Sequence, residues 1–316
     1  MSPTLSLLRP QSSAAPWQPV DRFEPSTPDD SALFKSLRQM AAQQPYYDAS
    51  ADREKQRAYY GDLTSRIERL NPQETYRELS TLVERTHTTE LPYNPSETLY
   101  PWVDLRPDGQ LHSIYSGSRT DAASLIEDDK RRQADLDKAL KEAREAALKE
   151  GRDPEQAVKD AYQGFHLNCE HVVPQSWFDK RSPMRGDLHH LFACDVDCNS
   201  LRGNSLYTDF PEKVGGDCGK KAEDQNRFEP AAGKGAVARA TLYFLLRYPG
   251  QVGDESGEYR QADIPTLLKW HREDPVSDYE RHRNVAIEGK QGNRNPLIDH
   301  PEWADRIDWN LGLGRH

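Results

Sequence analysis

The sequence predicts an α+β fold, and three observations predict it. A short stretch from Cys169 to Asn204 reads as strand, loop, strand, helix. Amphipathic helical stripes lie before and after it. A Pro-Asp-Gly turn between β-prone runs marks a hairpin upstream.

The central stretch also concentrates the chemistry. It packs five carboxylates, several imidazoles, three carboxamides, Lys180, Arg181, Arg185, Arg202 and three of the four cysteines into one segment. Val172-Val173-Pro174 directly follows Glu170-His171, so a first short β run ends at Pro174, which cannot donate to a ladder. Leu188-His189-His190-Leu191-Phe192 reads as a second β run. From Cys198 the pattern is a helix or turn that stops near Gly203-Asn204. Glu170, His171 and Asn199 then fall near element ends, a layout that can gather a base and a hard-metal site.

Composition limits the classes. The 316 residues suit one large domain or two ordinary ones. No apolar run approaches the 18 or so residues of a membrane span, so no membrane partner is expected. The N-terminal cluster Leu5-Ser6-Leu7-Leu8 is too short for a signal-peptide core. The net charge of −10 argues, taken alone, against a polyanion partner. A local basic cleft on an acidic body remains compatible with one. Cys169, Cys194, Cys198 and Cys218 cluster in one part of the chain. They admit two disulfides, a four-cysteine zinc site or reduced core thiols. The C-x3-C spacing of Cys194 and Cys198 weakens zinc, which favours C-x2-C.

In chain order, residues 1–30 are rich in Ser and Pro and read as a flexible tail. Ser31 to Ala42 has Leu33, Phe34, Leu37 and Met40 on one helical face. Arg53 to Leu70 is a second helix, stopped by Asn71-Pro72, and Gln73 to Thr86 a third. Trp102, Val103 and Leu105 lead through Arg106-Pro107-Asp108-Gly109 to Leu111, Ile114 and Tyr115, the hairpin. Residues 121–162 alternate in charge and read as two helices inserted before the central stretch, with a solvated face as the simplest role. Tyr207 to Lys221 reads as loop. Gly235 to Tyr248 is a helix closed by Pro249-Gly250. Ile264 to Trp270 and Pro275 to Ile287 are two more.

Phosphodiester hydrolysis needs a base for water, a cation for the phosphate, and cationic side chains for the remaining charge. Imidazole suits the base. Mg²⁺ takes few protein oxygens and keeps several waters, so one carboxylate and one carboxamide suffice. The zinc-protease pattern misses, because His166 lies four residues before Glu170. A Cys169–His171 nucleophile pair is the remaining alternative, without a recognised nucleophile elbow. Adjacent residues on a strand point opposite ways, so of His189 and His190 at most one faces the site.

Three separated motifs carry a resemblance. They are Glu170-His171-Val172-Val173-Pro174-Gln175-Ser176-Trp177-Phe178, then Met184-Arg185-Gly186-Asp187-Leu188-His189-His190-Leu191, then Asn199-Ser200-Leu201-Arg202-Gly203-Asn204. Together they resemble the bacterial endonuclease I family, non-specific ββα-metal (His-Me finger) nucleases. Phe228-Glu229-Pro230 with Gly235 to Ala240, and Gln291 to Pro296, resemble further family segments. The likeness covers roughly residues 93–301 apart from the insertion at 121–162.

The resemblance implies a ββα-metal core with surrounding helices and a β-hairpin, in one nuclease domain over residues 31–310. It implies that His171 is the general base, and that Glu170 and Asn199 hold one Mg²⁺, with Mn²⁺ as a substitute. Cleavage of DNA, and also of RNA, would leave 5′-phosphate ends. An arginine would hold the phosphate; Arg185 and Arg181 are the candidates by position, with Arg202 third. Cys198 and Cys218 sit where some relatives have cysteines, which implies a bridge. Cys169 and Cys194, each in or beside one of the two strands, form a candidate cross-strand pair. Zinc at the four cysteines ranks below disulfides. A monomer is expected. A non-specific nuclease also endangers its host, so export or an inhibitor or immunity protein is expected. The alternative is a silent nucleic-acid- or protein-binding module on the same fold; an intact Glu170, His171 and Asn199 favours the enzyme.

Overall fold

The computed structural model describes residues 45–163, 169–212, 215–222 and 225–314. The expected tail, the helix at 31–42 and His166 lie outside the described residues.

Helix α1 (Ala49–Tyr60) starts at Asp48, whose carboxylate accepts from Ser50 N and Ala51 N. The long helix expected after Arg53 breaks at Gly61 and resumes only as a single turn, Leu63–Arg66, and a 3-10 turn. Helix α2 (Pro72–Thr86) has Pro in its first turn and a reciprocal Asn71–Glu74 capping box, so the stop pair Asn71-Pro72 is also a start signal.

The hairpin forms one step later than the sequence suggested. β1 (Gln110–His112) pairs antiparallel with β2 (Arg119–Asp121). Trp102 to Leu105 form turns instead, with Val103 and Leu105 buried. The Pro-Asp-Gly segment therefore leads into the hairpin, and the reversal itself runs through 113–118. Asp121 then caps α3 (Ala122–Glu150), which ends at Gly151 with φ 69°; a left-handed C-terminal residue favours glycine. With α4 (Pro154–Gln163) it makes the two charged helices expected for this region.

The central ribbon is β3 (Cys169–His171) antiparallel to β4 (Leu191–Ala193), with Glu170 opposite Phe192 and His171 opposite Leu191. Helix α5 (Val196–Arg202) follows, closed by Gly203. The second β run is shorter than expected, because Leu188 to His190 form a 3-10 turn. Strand alternation therefore does not govern His189 and His190, and both are buried.

The segment after Tyr207 is not only loop. β5 (Leu206–Tyr207), β6 (Gly219–Ala222) and β7 (Arg227–Pro230) form a sheet in the order β5-β7-β6. A disulfide joins Cys198 on α5 to Cys218 beside β6. The strands are too short, and β6 too polar, to alternate visibly in the sequence.

Helix α6 (Lys234–Arg247) is buried nearly throughout, Val237 to Leu246 included. A helix apolar all round belongs in a core. α7 (Ile264–Glu273) and α8 (Asp278–Gln291) complete the shell. The β3–β4 ribbon lies between two apolar clusters. Phe192, Val172, Val173 and Cys194 join Phe178, Phe228 and Phe244 on one side. Cys169, Leu191 and Ala193 join Leu99, Tyr100 and Ile126 on the other. Held from both sides, the ribbon is a rigid mount for Glu170 and His171.

The expected Cys169–Cys194 bridge is absent, and both thiols are free and buried. Cys169 pairs with Ala193, so Cys194 stands one step out of register and faces the other cluster. A one-residue offset reverses the face. With two cysteines bridged to each other, a four-cysteine zinc site is excluded too. Among the described residues no three His, Cys, Asp or Glu side chains group around a metal position.

Candidate active site

The ribbon brings Glu170 and His171 side by side, and α5 brings Asn199 to the same strand. Asn199 Nδ2 donates to Cys169 O at 3.2 Å. The amide oxygen is then the atom this side chain offers a cation.

Glu170 is 2% exposed. Its Oε1 accepts from Tyr115 Oη at 2.7 Å and from Arg202 Nη1 at 2.8 Å. Oε2 takes no hydrogen bond among the described residues. Burial pushes the carboxyl up to about 7, while Arg202 and Tyr115 pull it down. A desolvated carboxylate with one oxygen uncommitted is stabilised by a hard cation. One carboxylate and one carboxamide fit an ion that keeps its waters, such as Mg²⁺.

His171 sits in an aromatic box. Its ring stacks on Tyr93 at 5.0 Å and meets His190 edge-on at 5.5 Å. Nε2 lies 3.0 Å from Arg185 O. A carbonyl only accepts, so Nε2 carries the hydrogen and Nδ1 is the basic nitrogen. Burial, and next the neighbouring His190, hold the imidazole well below its usual range. The ring is therefore neutral at pH 7 and able to accept a proton.

The three arginines separate. Arg185 is at the site: its carbonyl fixes His171, and its guanidinium lies 5.0 Å over the Tyr93 ring. Its Nε is buried without a hydrogen-bond partner among the described residues, a donor that a phosphate oxygen would satisfy. Arg181 turns outward to Phe178 O and Gln251 Oε1. Arg202 is 1% exposed and committed to internal acceptors: Glu170, His171 O, Val172 O and Ser205 O. It clamps the end of β3 and orients the carboxylate.

Sequence reasoning missed Tyr93, Tyr115 and Tyr207 as parts of this site. Tyr115 and Tyr207 share a 2.7 Å hydroxyl contact behind Glu170. The only signal for Tyr115 is a tyrosine in a β-prone run, which marks core just as well, and Tyr207 stood at the start of a segment read as loop. Tyr93 carries no local signal.

A strand pair with a helix tied to it, presenting a neutral histidine, a buried carboxylate and a carboxamide, gives an α+β protein with a candidate hydrolytic site. The family model described as Endonuclease I matches residues 74–302. The chain belongs to the endonuclease I family. An extracellular ribonuclease of Bacillus amyloliquefaciens is 40% identical over 159 residues, which are 44% of this chain and 53% of that protein. One of Bacillus subtilis is 41% identical over 160 residues, again 44% and 53%. An extracellular deoxyribonuclease of Aeromonas hydrophila is 29% identical over 164 residues, 45% of this chain and 68% of that protein. The chain spans about half the length of the first two curated relatives it matches.

Proposed function

We propose that the chain is a Mg²⁺-dependent, sequence-non-specific endonuclease that hydrolyses phosphodiester bonds of DNA and RNA to 5′-phosphate ends. The observation that carries this reading is the Nε2–Arg185 O bond at 3.0 Å. It leaves a neutral imidazole with Nδ1 as the proton acceptor, beside a carboxylate and a carboxamide suited to one hard cation.

In this reading His171 Nδ1 takes the proton from the attacking water. Glu170 and Asn199 would hold the ion, with Mn²⁺ able to replace Mg²⁺. When bound, the ion supplies positive charge at the scissile phosphate and the 3′ leaving oxygen. The Arg185 guanidinium holds the phosphate as charge builds. Arg202 and Tyr115 keep Glu170 aimed, a supporting role that metal sites depend on. The relatives named above divide between ribonucleases and deoxyribonucleases, which supports a site that tolerates both sugars.

Supercoiled plasmid and a structured RNA, each incubated with the protein and Mg²⁺ or with EDTA, test the proposal. Metal-dependent cleavage of both is expected. Binding without cleavage by a folded chain would contradict it and point to the silent module.

A further inference from the structure

Away from the ribbon, α1, Thr64 and His300 border a second polar hollow that is open to solvent, with Arg53, Arg57 and Thr64 exposed. It is a cavity of about 300 Å³ lined by Arg53, Gln56, Arg57, Thr64 and His300. None of these is a carboxylate, although acids outnumber bases by ten in the chain.

Arg53 and Arg57 are four apart on one helix, a spacing at which like charges repel. Neither makes an ion pair among the described residues. Of the nearby carboxylates, Asp48 feels the Arg53 charge while it caps α1, and three others are engaged elsewhere. Asp52 accepts from Tyr47, Gln56 and Arg294. Asp299 accepts from Tyr60 and Arg294. Asp62 pairs with Arg66. Arg57 Nε is turned back to Arg53 O at 3.3 Å, so its terminal nitrogens are left for the cavity. His300 is stacked on Trp303 at 3.9 Å, and its Nδ1 is 3.2 Å from Glu302, which leaves Nε2.

From these groups we infer that the Arg53–Arg57–His300 hollow binds a phosphate group. Two guanidinium groups with a threonine hydroxyl provide donors on several sides of a tetrahedral anion, and the His300 ring adds an Nε2 donor when it is protonated. The phosphate comes either from a nucleic-acid strand extending from the active site or from free phosphate. The strand source rests on the function proposed above; the phosphate chemistry does not.

Two titrations with the full chain in EDTA, where no cleavage occurs, separate the sources. The first follows a fluorescein-labelled single strand by anisotropy over a salt series. The second follows inorganic phosphate by calorimetry. Arg53→Ala/Arg57→Ala is compared with wild type and with Lys141→Ala/Lys149→Ala, a control for bulk charge on α3. The site variant should lose phosphate heats and bind the strand several-fold more weakly. The magnitude of its salt slope should fall by about one. The control should match wild type. Lost phosphate binding with an unchanged strand titration would overturn the strand source and assign free phosphate. A wild type that binds phosphate here but no strand would count against the proposed function and leave this site standing. Equal behaviour of the site variant and the control in both titrations would overturn the site.

Discussion

His171 and Arg185 are joined in a way that gives one residue two jobs. The Arg185 carbonyl accepts from His171 Nε2 at 3.0 Å, while its guanidinium lies over Tyr93, the ring stacked on His171. The backbone sets the tautomer, and in the function proposed above the side chain holds the phosphate.

The two jobs separate by mutation. Arg185→Ala keeps the carbonyl, so the pH profile of kcat should hold its shape while kcat falls by roughly two to three decades, as for loss of a charge-stabilising donor. Arg181→Ala should stay within a few-fold of wild type, because that side chain points to Gln251. Steady-state rates on plasmid check both; equal losses would remove Arg185 from the phosphate.

Arg202→Ala should destabilise the fold by about 3–5 kcal/mol, the cost of leaving a buried partner charge unpaired. Glu170 is that partner, at 2.8 Å and fully enclosed. Urea unfolding in EDTA measures it. A change below about 1 kcal/mol would show that the pair does not hold β3.

Acid should unfold this protein early. His87, His171, His189, His190, His271 and His282 are buried, and burial holds each below its usual value of 6.5, His189 at about 4. The unfolded chain takes up these protons first, so stability is lost as pH falls below 6.5. Asp129 and Glu170 run the other way: burial raises them to about 6 and about 7, so their contribution is lost as pH rises through that range. The histidines are more numerous. Melting temperatures in EDTA should fall steeply from pH 6.5 to 4.5, and a flat profile would contradict the burial of these rings.

Reduction should cost about 3 kcal/mol, because Cys198–Cys218 closes a loop with a sequence separation of 20. Cys169 and Cys194 should resist alkylation in the folded state, since burial raises both thiols well above their usual range. Thiol counting before and after denaturation checks this. Fast labelling of the native, unreduced protein would show an open ribbon.

What was legible in the sequence follows from range. Helices declare themselves locally, and Asn71-Pro72 with Glu74, or Gly151, mark ends through caps that involve near neighbours. The strands pair over distance and are only two to four residues long, so β6 passed for loop and the hairpin was misplaced. The motif residues Glu170, His171 and Asn199 do converge on one strand. The supporting shell does not show in one dimension. Arg202 reads as a third candidate for the phosphate until its four acceptors are seen, and Tyr93 reaches His171 from a distant part of the chain. The Cys169–Cys194 pairing failed for want of a register, which only the Cys169–Ala193 match supplies.

The most direct test of the central claim is single-turnover cleavage of plasmid by wild type and by His171→Ala in Mg²⁺, with circular dichroism to confirm folding. If His171 is the base, the variant folds and its rate falls by roughly two to four decades. A folded His171→Ala that cuts at the wild-type rate would contradict the account.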